Sequence, residues 1–392
     1  MKRILLVALA LVLISGLVLS GCSSTPSTTT AAPKPTTAVT TTAATTTAPV
    51  TTTKPATTSA PTSAATSTAP QKTWNLKFSF EQVPTAPITV FAFIPWAKDV
   101  ERVTNGRVKV TLYDSQTLMK SGNVIDGLKS GIADVAWTFT GLFPGQYETF
   151  ESVTLPFLSP NSTAASRTSW ALYQKYPEIQ NLFSDVKMLS TWTSEPFEIL
   201  GTKKNYKTMA DFQNQKLRIT AGSGTDMMTL LGATPVNITQ PDFYLGMKNG
   251  VVDGGGTPAE AILGFKHYEV APFITYAPNV LTLHLLAMSK NVWNDFPKDI
   301  QDAIMSVSGD FQSTRAGNGY DQTVKDMPAI IKAAGFNTTY YTVPADELAK
   351  WKAVAGTPVV DKWLKSQAGK NVTVAPQIMT DTLALEAQFA PK

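Results

Sequence analysis

Arg218 is the residue of this chain best suited to hold an anion. It lies in a run patterned as a strand, residues 217–220, directly before Ala221-Gly222-Ser223-Gly224. A guanidinium stays charged when it is removed from water, and its planar fork matches both oxygens of a carboxylate. A glycine-rich turn that opens a helix at Thr225 would add backbone donors nearby. An exposed arginine on an edge strand, or a structural ion pair, is the alternative interpretation.

Aromatic and polar side chains at predicted strand ends are candidates for the rest of a ligand site. Trp137 and Thr138 close one strand, Trp192 follows the strand 186–191, and Gln82 lies in the loop after the first strand. Strand ends that face a crevice provide stacking surfaces and apolar walls. Ordinary core packing is the alternative for each aromatic residue. His284 is expected to be a structural histidine, with lining of the crevice as the alternative.

The residues needed for most kinds of catalysis are scarce. His267 and His284 are the only histidines, and Cys22 is the only cysteine. No Gly-x-Ser-x-Gly elbow occurs, and the glycine clusters carry neither the P-loop lysine nor the dinucleotide fingerprint. Glu195 and Glu198 could serve a glycosidase, but nothing in the sequence places them across a sugar. We therefore expect no enzyme, no cofactor and no metal site.

The amino terminus has the features of an export signal. Lys2 and Arg3 precede an apolar stretch at residues 4–19, which is short for a membrane span. It ends in Leu19-Ser20-Gly21-Cys22, which resembles the bacterial lipobox, in which the cysteine is lipidated and becomes the first residue after cleavage. The sequence therefore predicts a signal peptide at 1–21 and a lipid on Cys22. An ordinary signal or an uncleaved anchor is the alternative.

Residues 22–72 are predicted to form a disordered tether, because Thr, Pro, Ala and Ser predominate there. Five of the 33 basic residues and none of the 29 acidic ones lie in residues 1–72, which leaves 28 basic and 29 acidic residues for the remainder. This near-neutral balance of charge does not indicate a basic surface that would bind nucleic acid. We expect a domain that is held by its lipid at the outer face of the cytoplasmic membrane.

The order of the predicted elements indicates an α/β protein. A βαβαβ pattern implies a parallel sheet with helices on its faces, and it occurs twice before the chain becomes mostly helical after residue 289. Two such units would bind a ligand in the crevice between them. The predicted elements are strands at 74–80, 107–113, 133–138, 216–220, 235–238 and 251–252 and helices at 88–103, 123–130, 225–231 and 243–248.

Several short motifs, in this order, resemble the extracytoplasmic solute receptors of tripartite ATP-independent periplasmic (TRAP) transporters. They cover about residues 74–310. They are Thr104-Asn105-Gly106-Arg107, Gly131-Ile132-Ala133-Asp134, Leu155-Pro156-Phe157, Lys207 to Phe212 with Gln215-Lys216-Leu217-Arg218, Leu231 to Val236, Gly250-Val251-Val252-Asp253-Gly254, and Trp293 with Phe296-Pro297.

This resemblance implies a two-lobed fold of the type II periplasmic-binding-protein kind, with a hinge and long C-terminal helices. It implies lobe I at 73–195 plus about 285–330, and lobe II at about 196–284 plus about 331–392. It also implies that the protein passes its ligand to an ion-gradient-driven TRAP permease. A binding lipoprotein of an ATP-driven importer, a sensor's ligand-binding partner and an adhesive surface lipoprotein are the alternatives.

The resemblance also assigns site residues. It implies that Arg218 grips the carboxylate of a small organic acid, and it places Tyr244 at the spacing expected for the site. Many members carry a second arginine about twenty residues earlier, where this chain has residues 195–200 without one. Thr257 lies where other members have Asn or Trp, and could hydrogen-bond the ligand.

Overall fold

The structure is a computed structural model that describes residues 72–219 and 222–390. The predicted signal peptide, the lipid on Cys22 and the tether up to residue 71 lie outside the described residues. None of the helices in the described part is both long enough and apolar enough to cross a membrane.

Two mixed sheets contain the strands of the described residues. One has five strands in the order β2-β1-β3-β10-β4, and the other has six in the order β11-β9-β5-β8-β6-β7. The strands are β1 (Trp74–Ser79), β2 (Val108–Tyr113), β3 (Val135–Phe139), β4 (Val186–Thr193), β5 (Glu198–Gly201), β6 (Lys216–Arg218), β7 (Thr234–Val236), β8 (Gly254–Thr257), β9 (Phe273–Tyr276), β10 (Leu283–Ser289) and β11 (Thr339–Thr342).

Helices cover both sheets. The α-helices are α1 (Ile94–Val103), α2 (Val124–Ser130), α3 (Ser162–Lys175), α4 (Pro177–Asn181), α5 (Ser223–Leu230), α6 (Gln240–Lys248), α7 (Ala259–Gly264), α8 (Lys290–Asp295), α9 (Lys298–Ser306), α10 (Gly309–Ala333), α11 (Ala345–Trp351), α12 (Thr357–Gly369) and α13 (Ala375–Phe389). A π-helical turn at Thr89–Phe93 precedes α1, and another at Lys352–Gly356 joins α11 to α12.

Each sheet has its own hydrophobic cores. Trp137, Trp192 and Leu286 belong to the core on one face of the five-stranded sheet, while Leu285 belongs to the core on its other face. Successive residues of a strand point to opposite faces, so β10 is buried on both sides. Two further cores enclose the six-stranded sheet. The α/β class and the two-lobed architecture predicted from the sequence are thereby confirmed.

Two short connections join the sheets at facing edges. Residues 194–197 lead from β4 to β5, and residues 277–282 lead from β9 to β10. The antiparallel pairing of β10 places the ends of β3 and β4 at the same edge of the first sheet. The pairing of β8 with β5 and β6 places Arg218, Thr257 and Glu198 at the connected edge of the second. The crevice between these edges is where a ligand would lie.

The parallel order of the first three strands is confirmed, because β1 pairs in parallel with β2 and with β3. The strand predicted at 251–252 is wrong in position, since β8 runs from Gly254 to Thr257. Its first three residues are glycines, which carry no side chain to reveal a strand by alternation. The helix predicted at 225–231 begins slightly earlier, at Ser223, after Gly222 with a φ of 102°.

The C-terminal helices cross between the two sides. Trp351 on α11 packs in a core of the second sheet, whereas Val359 and Trp363 on α12 pack in a core of the first. Helix α13 packs against α3 and adds Ile378 to that same core. The predicted lobe division as a whole remains a prediction. It assigns about residues 331–392 to lobe II, whereas α12 and α13 pack with the first sheet. Helix periodicity cannot reveal which of two cores a helix joins.

Candidate functional site

Arg218 ends β6, an interior strand that lies between β8 and the edge strand β7, and the residue is 1% exposed. Its Nε donates to the Ile238 carbonyl and its Nη1 to the Gly256 carbonyl, both at 3.0 Å. The guanidinium also lies over the Phe243 ring, 5.4 Å from the centroid. These contacts hold the planar fork in one orientation, as recognition of a carboxylate requires.

No carboxylate of the described residues forms an ion pair with Arg218. Burial alone lowers the pKa of its guanidinium to about 10, so it remains charged at neutral pH. A buried cation that meets only neutral carbonyls and an aromatic ring is unfavourable unless an anion joins it. The edge-strand and ion-pair interpretations do not fit this environment. The arrangement fits an anionic ligand.

His267 lies in the same environment and carries no charge that would compete for the anion. Its ring packs against Phe243, with centroids 4.9 Å apart, and neither ring nitrogen has a partner among the described residues. Burial and the nearby charge of Arg218 lower its pKa to about 3. The sequence did not indicate this residue, because its proximity to Arg218 arises only when α6 and the segment after α7 pack together.

Among the three glycines of β8, Gly255 makes room for Arg218. A Cβ on Gly255 would lie 2.4 Å from the Arg218 carbonyl oxygen and 2.7 Å from its Cβ. Only glycine allows a backbone to approach another backbone so closely. The glycine cluster therefore positions the arginine and is not a phosphate-binding loop.

Thr257 follows these glycines and is fully buried. Gly255 pairs with Arg218, and alternate residues of a strand share a face, so Thr257 and Arg218 point to the same side of the sheet. The Thr257 hydroxyl accepts a hydrogen bond from Gln240 Nε2 at 2.7 Å. Gln240 Oε1 is buried without a partner among the described residues, which leaves an acceptor available for a ligand donor.

Aromatic rings gather at the facing edge of the first sheet. The His284 ring lies 5.2 Å from Trp137 and 6.1 Å from Trp192, both edge-on. Both indole N–H groups are buried without a partner among the described residues. Buried donors of this kind normally find a partner. Both rings belong to a hydrophobic core, as the core-packing interpretation expects, and their contact with a ligand stays a prediction.

His284 is held by a residue that the sequence did not single out. Its Nδ1 lies 3.0 Å from the hydroxyl of Tyr320, which reaches it from α10. Burial lowers the pKa of His284 to about 3, so its ring is neutral. The interpretation as a structural histidine fits this contact.

Three of the predicted site residues have other contacts. The Thr138 hydroxyl donates to the Ser121 carbonyl at 3.3 Å, and the Tyr244 hydroxyl donates to Glu269 Oε2 at 3.0 Å. Gln82 is half-buried, and its carbonyl accepts from the Ser115 N–H. Their roles in binding stay predictions.

Buried carboxyl groups lie at the connection between the sheets. Glu195 Oε1 accepts from the backbone N–H of Glu260 at 2.9 Å, which ties the segment after β4 to the start of α7. Burial is the main cause that raises the pKa of both carboxyls to about 8. Burial also raises the pKa of Glu198 well above its usual value.

These shifts predict that stability falls as the pH rises from about 6.5 to 8. Glu195 and Glu260 bind protons more tightly in the folded state, so folding loses stability from their unfolded pKa of about 4.5 up to about 8. His267 acts in the opposite sense, but only below about 6.5, where its unfolded form titrates. Thermal unfolding at several pH values tests this.

In that experiment Glu260→Gln should flatten the decline between pH 6.5 and 8, because one of the titrating groups is gone. Glu101→Gln, at an exposed glutamate of α1, is the matched control and should leave the decline as it is. A midpoint that stays constant or rises over this range would contradict the prediction.

No group of three or more His, Cys, Asp or Glu side chains in residues 72–219 and 222–390 is arranged to hold a metal ion.

Comparison with known proteins agrees with this chemistry. Residues 80–367 match the model of the bacterial extracellular solute-binding proteins, family 7. The chain is 26% identical over 292 residues to the outer membrane transporter protein TsaT of Comamonas testosteroni, a match that covers 74% of this chain and 85% of that protein.

Two solved structures are similar in sequence and in fold. A TRAP solute-binding protein from Rhodoferax ferrireducens with copurified benzoate is 26% identical, with a TM-score of 0.75 over 80% of this chain and 98% of that one. A marine metagenome TRAP solute-binding protein specific for aromatic acids, with bound 3-hydroxybenzoate, is 25% identical, with a TM-score of 0.76 over 82% and 100% of the two chains.

Proposed function

We propose that this chain captures a small organic acid and delivers it to a TRAP permease. The premise is that the chain belongs to the bacterial extracellular solute-binding proteins of family 7. Such a permease is driven by an ion gradient, and the family consists of receptors, so we assign no reaction to this chain. Its ligand would lie in the crevice between the two sheets.

Arg218 carries this proposal. It is the buried cation of the crevice, it has no carboxylate partner in the described residues, and two carbonyls and the Phe243 ring fix its orientation. A ligand carboxylate would complete its hydrogen bonding and balance its charge. Thr257 and Gln240, on the same side of the sheet, would provide the neutral polar contacts.

Aromatic acids are the ligands that the crevice suits best. Trp137 and Trp192 lie at the connected edge of the first sheet, and the buried Trp137 indole N–H has no partner among the described residues. Two of the similar solved structures hold benzoate and 3-hydroxybenzoate, which combine one carboxylate with one ring. An aromatic carboxylate would place its charge at Arg218 and its ring among the indoles.

We also propose that Cys22 carries a lipid, which would hold the receptor at the outer face of the cytoplasmic membrane. The lipobox-like residues 19–22 support this placement. Incorporation of labelled palmitate into the intact chain, lost in Cys22→Ser, would test it.

Ligand-dependent thermal unfolding tests the function. Benzoate, at about 100 times its dissociation constant, should stabilise the intact chain by about 2.7 kcal/mol, whereas benzyl alcohol and glucose should not. Succinate and glucuronate belong in the same panel, because they carry the carboxylate without the ring. Equal shifts with benzyl alcohol and benzoate would contradict the assignment of Arg218, and stabilisation by succinate alone would contradict the preference for aromatic acids.

A further inference from the structure

A cavity lies where the two sheets are connected. Its lining is acidic, whereas the crevice at Arg218 suits an anion. Its volume is about 340 Å³, and its walls come from both sides of the molecule. Helix α10 contributes Val324 and Lys325, β9 contributes Tyr276, and the edge strand β11 contributes Thr342. A cavity of this volume accommodates a small molecule.

Two carboxyl groups line this cavity without a cationic partner. Glu195 is fully buried, and its Oε2 has no hydrogen-bond partner among the described residues. Glu198 is 4% exposed, and no ion pair of the described residues includes it. Burial raises the pKa of both carboxyls, so they are protonated in the empty cavity, and a cation beside them would favour their ionisation.

Asp321 and Lys325 are the other charged residues that line the cavity. The Asp321 carboxylate accepts from the backbone N–H groups of Ser162 and Thr163 at the start of α3, so it is already occupied. Lys325 lines the cavity but is exposed, and it forms no ion pair with a carboxylate of the described residues. The cavity therefore combines an acidic lining with a buried carboxyl oxygen that has no partner among the described residues.

The walls decide which cation fits. Pro160, Pro196 and Pro278 form apolar surface, and the ring of Tyr276 adds an aromatic face. No described residues are arranged as a metal site. An ammonium group on an apolar body matches both features, because it pairs with carboxylates and is attracted to aromatic faces.

We propose that this cavity binds a small organic cation, an alkylammonium or quaternary ammonium compound, between Glu195, Glu198 and the Tyr276 ring. Glu198 pairs with Thr257 between β5 and β8, so this cavity adjoins the crevice, and its acidic lining suits a cation where Arg218 suits an anion. Because the walls belong to both sides of the molecule, an occupant would contact both at once.

Calorimetric titration of the intact chain tests the proposal, with n-butylammonium chloride and tetramethylammonium chloride as probes. We expect saturable binding of at least one of them, and none of sodium chloride at the same ionic strength. Glu198→Gln should weaken that binding at least tenfold, because glutamine cannot ionise beside the bound cation. Asp326→Asn is the matched control, since Asp326 is exposed on the same helix as Val324 and accepts from Gln322.

A second variant keeps the test independent of the buried carboxyls. Thr342 is exposed on an edge strand, so Thr342→Trp should fold and fill the mouth of the cavity. It should abolish binding of the ammonium compound while binding of benzoate is retained. The proposal is overturned if neither ammonium compound binds, if sodium binds equally well, or if Glu198→Gln and Thr342→Trp, folded by circular dichroism, bind the probes as the native chain does.

Discussion

Replacing Arg218 by methionine is expected to weaken the binding of benzoate at least thirtyfold, a loss of at least about 2 kcal/mol. Methionine keeps an unbranched stem against the Phe243 ring but removes the charge and every donor. The ligand carboxylate would then be buried with no cation to balance it. Calorimetric titration of both proteins with benzoate measures the difference.

The unliganded protein should respond in the opposite direction, which separates a binding role from a structural one. Arg218 has no carboxylate partner in the described residues, so removing its charge relieves an electrostatic cost in the empty crevice. Arg218→Met without ligand should therefore unfold at the native midpoint or above it. Arg218→Lys should bind benzoate with intermediate affinity, because a lysine keeps the charge but not the fork. Native affinity in the methionine variant would refute the role of Arg218.

Replacing Gly255 by alanine should damage both stability and binding. The new Cβ would lie 2.4 Å from the carbonyl oxygen and 2.7 Å from the backbone nitrogen of Arg218. Both atoms belong to β6, which pairs with β8 on one side and β7 on the other, so they cannot move without disrupting the sheet. We expect a loss of about 1–3 kcal/mol in the free energy of unfolding, as for other overpacked sites.

Weaker binding of benzoate should accompany that loss, because the displaced β6 carries Arg218. Gly264→Ala is the matched control: its Cβ would meet no atom within 4 Å, and alanine suits a helix better than glycine does. It should leave both quantities unchanged or raise stability slightly. Urea unfolding together with benzoate titration measures both, and Gly255→Ala behaving like Gly264→Ala would contradict the close packing of β6 and β8.

The residues that could be identified from sequence are those with a local signal. Arg218 could be proposed because it stands between Leu217 and Ile219 in a predicted strand, directly before a glycine-rich turn. Thr257 could be placed because it follows a glycine run at a spacing that the resemblance supplies. Trp137 and Trp192 were found as aromatic residues at strand ends, although their shared proximity to His284 required the structure.

The remainder depends on contacts between segments that are distant along the chain. Tyr320 meets His284 because α10 packs against β4, the neighbour of β10, and Gln240 at the start of α6 meets Thr257 at the end of β8. Neither the residue type nor the position in the sequence pattern distinguishes Tyr320 or Gln240 from a surface residue. The position of β8 was misjudged for a related reason: its glycines form a strand through the pairing of their neighbours and not through a pattern of their own.

The isolated charge of Arg218 also bears on how a permease could tell a loaded receptor from an empty one. Sealing the crevice over a guanidinium with no anion beside it is unfavourable, while sealing it over a bound carboxylate is not. The arginine would thus disfavour closure of an empty receptor. The empty receptor would remain open and would not compete with loaded receptors for the permease. Fidelity of transport would then originate in a charge that the protein itself leaves unbalanced.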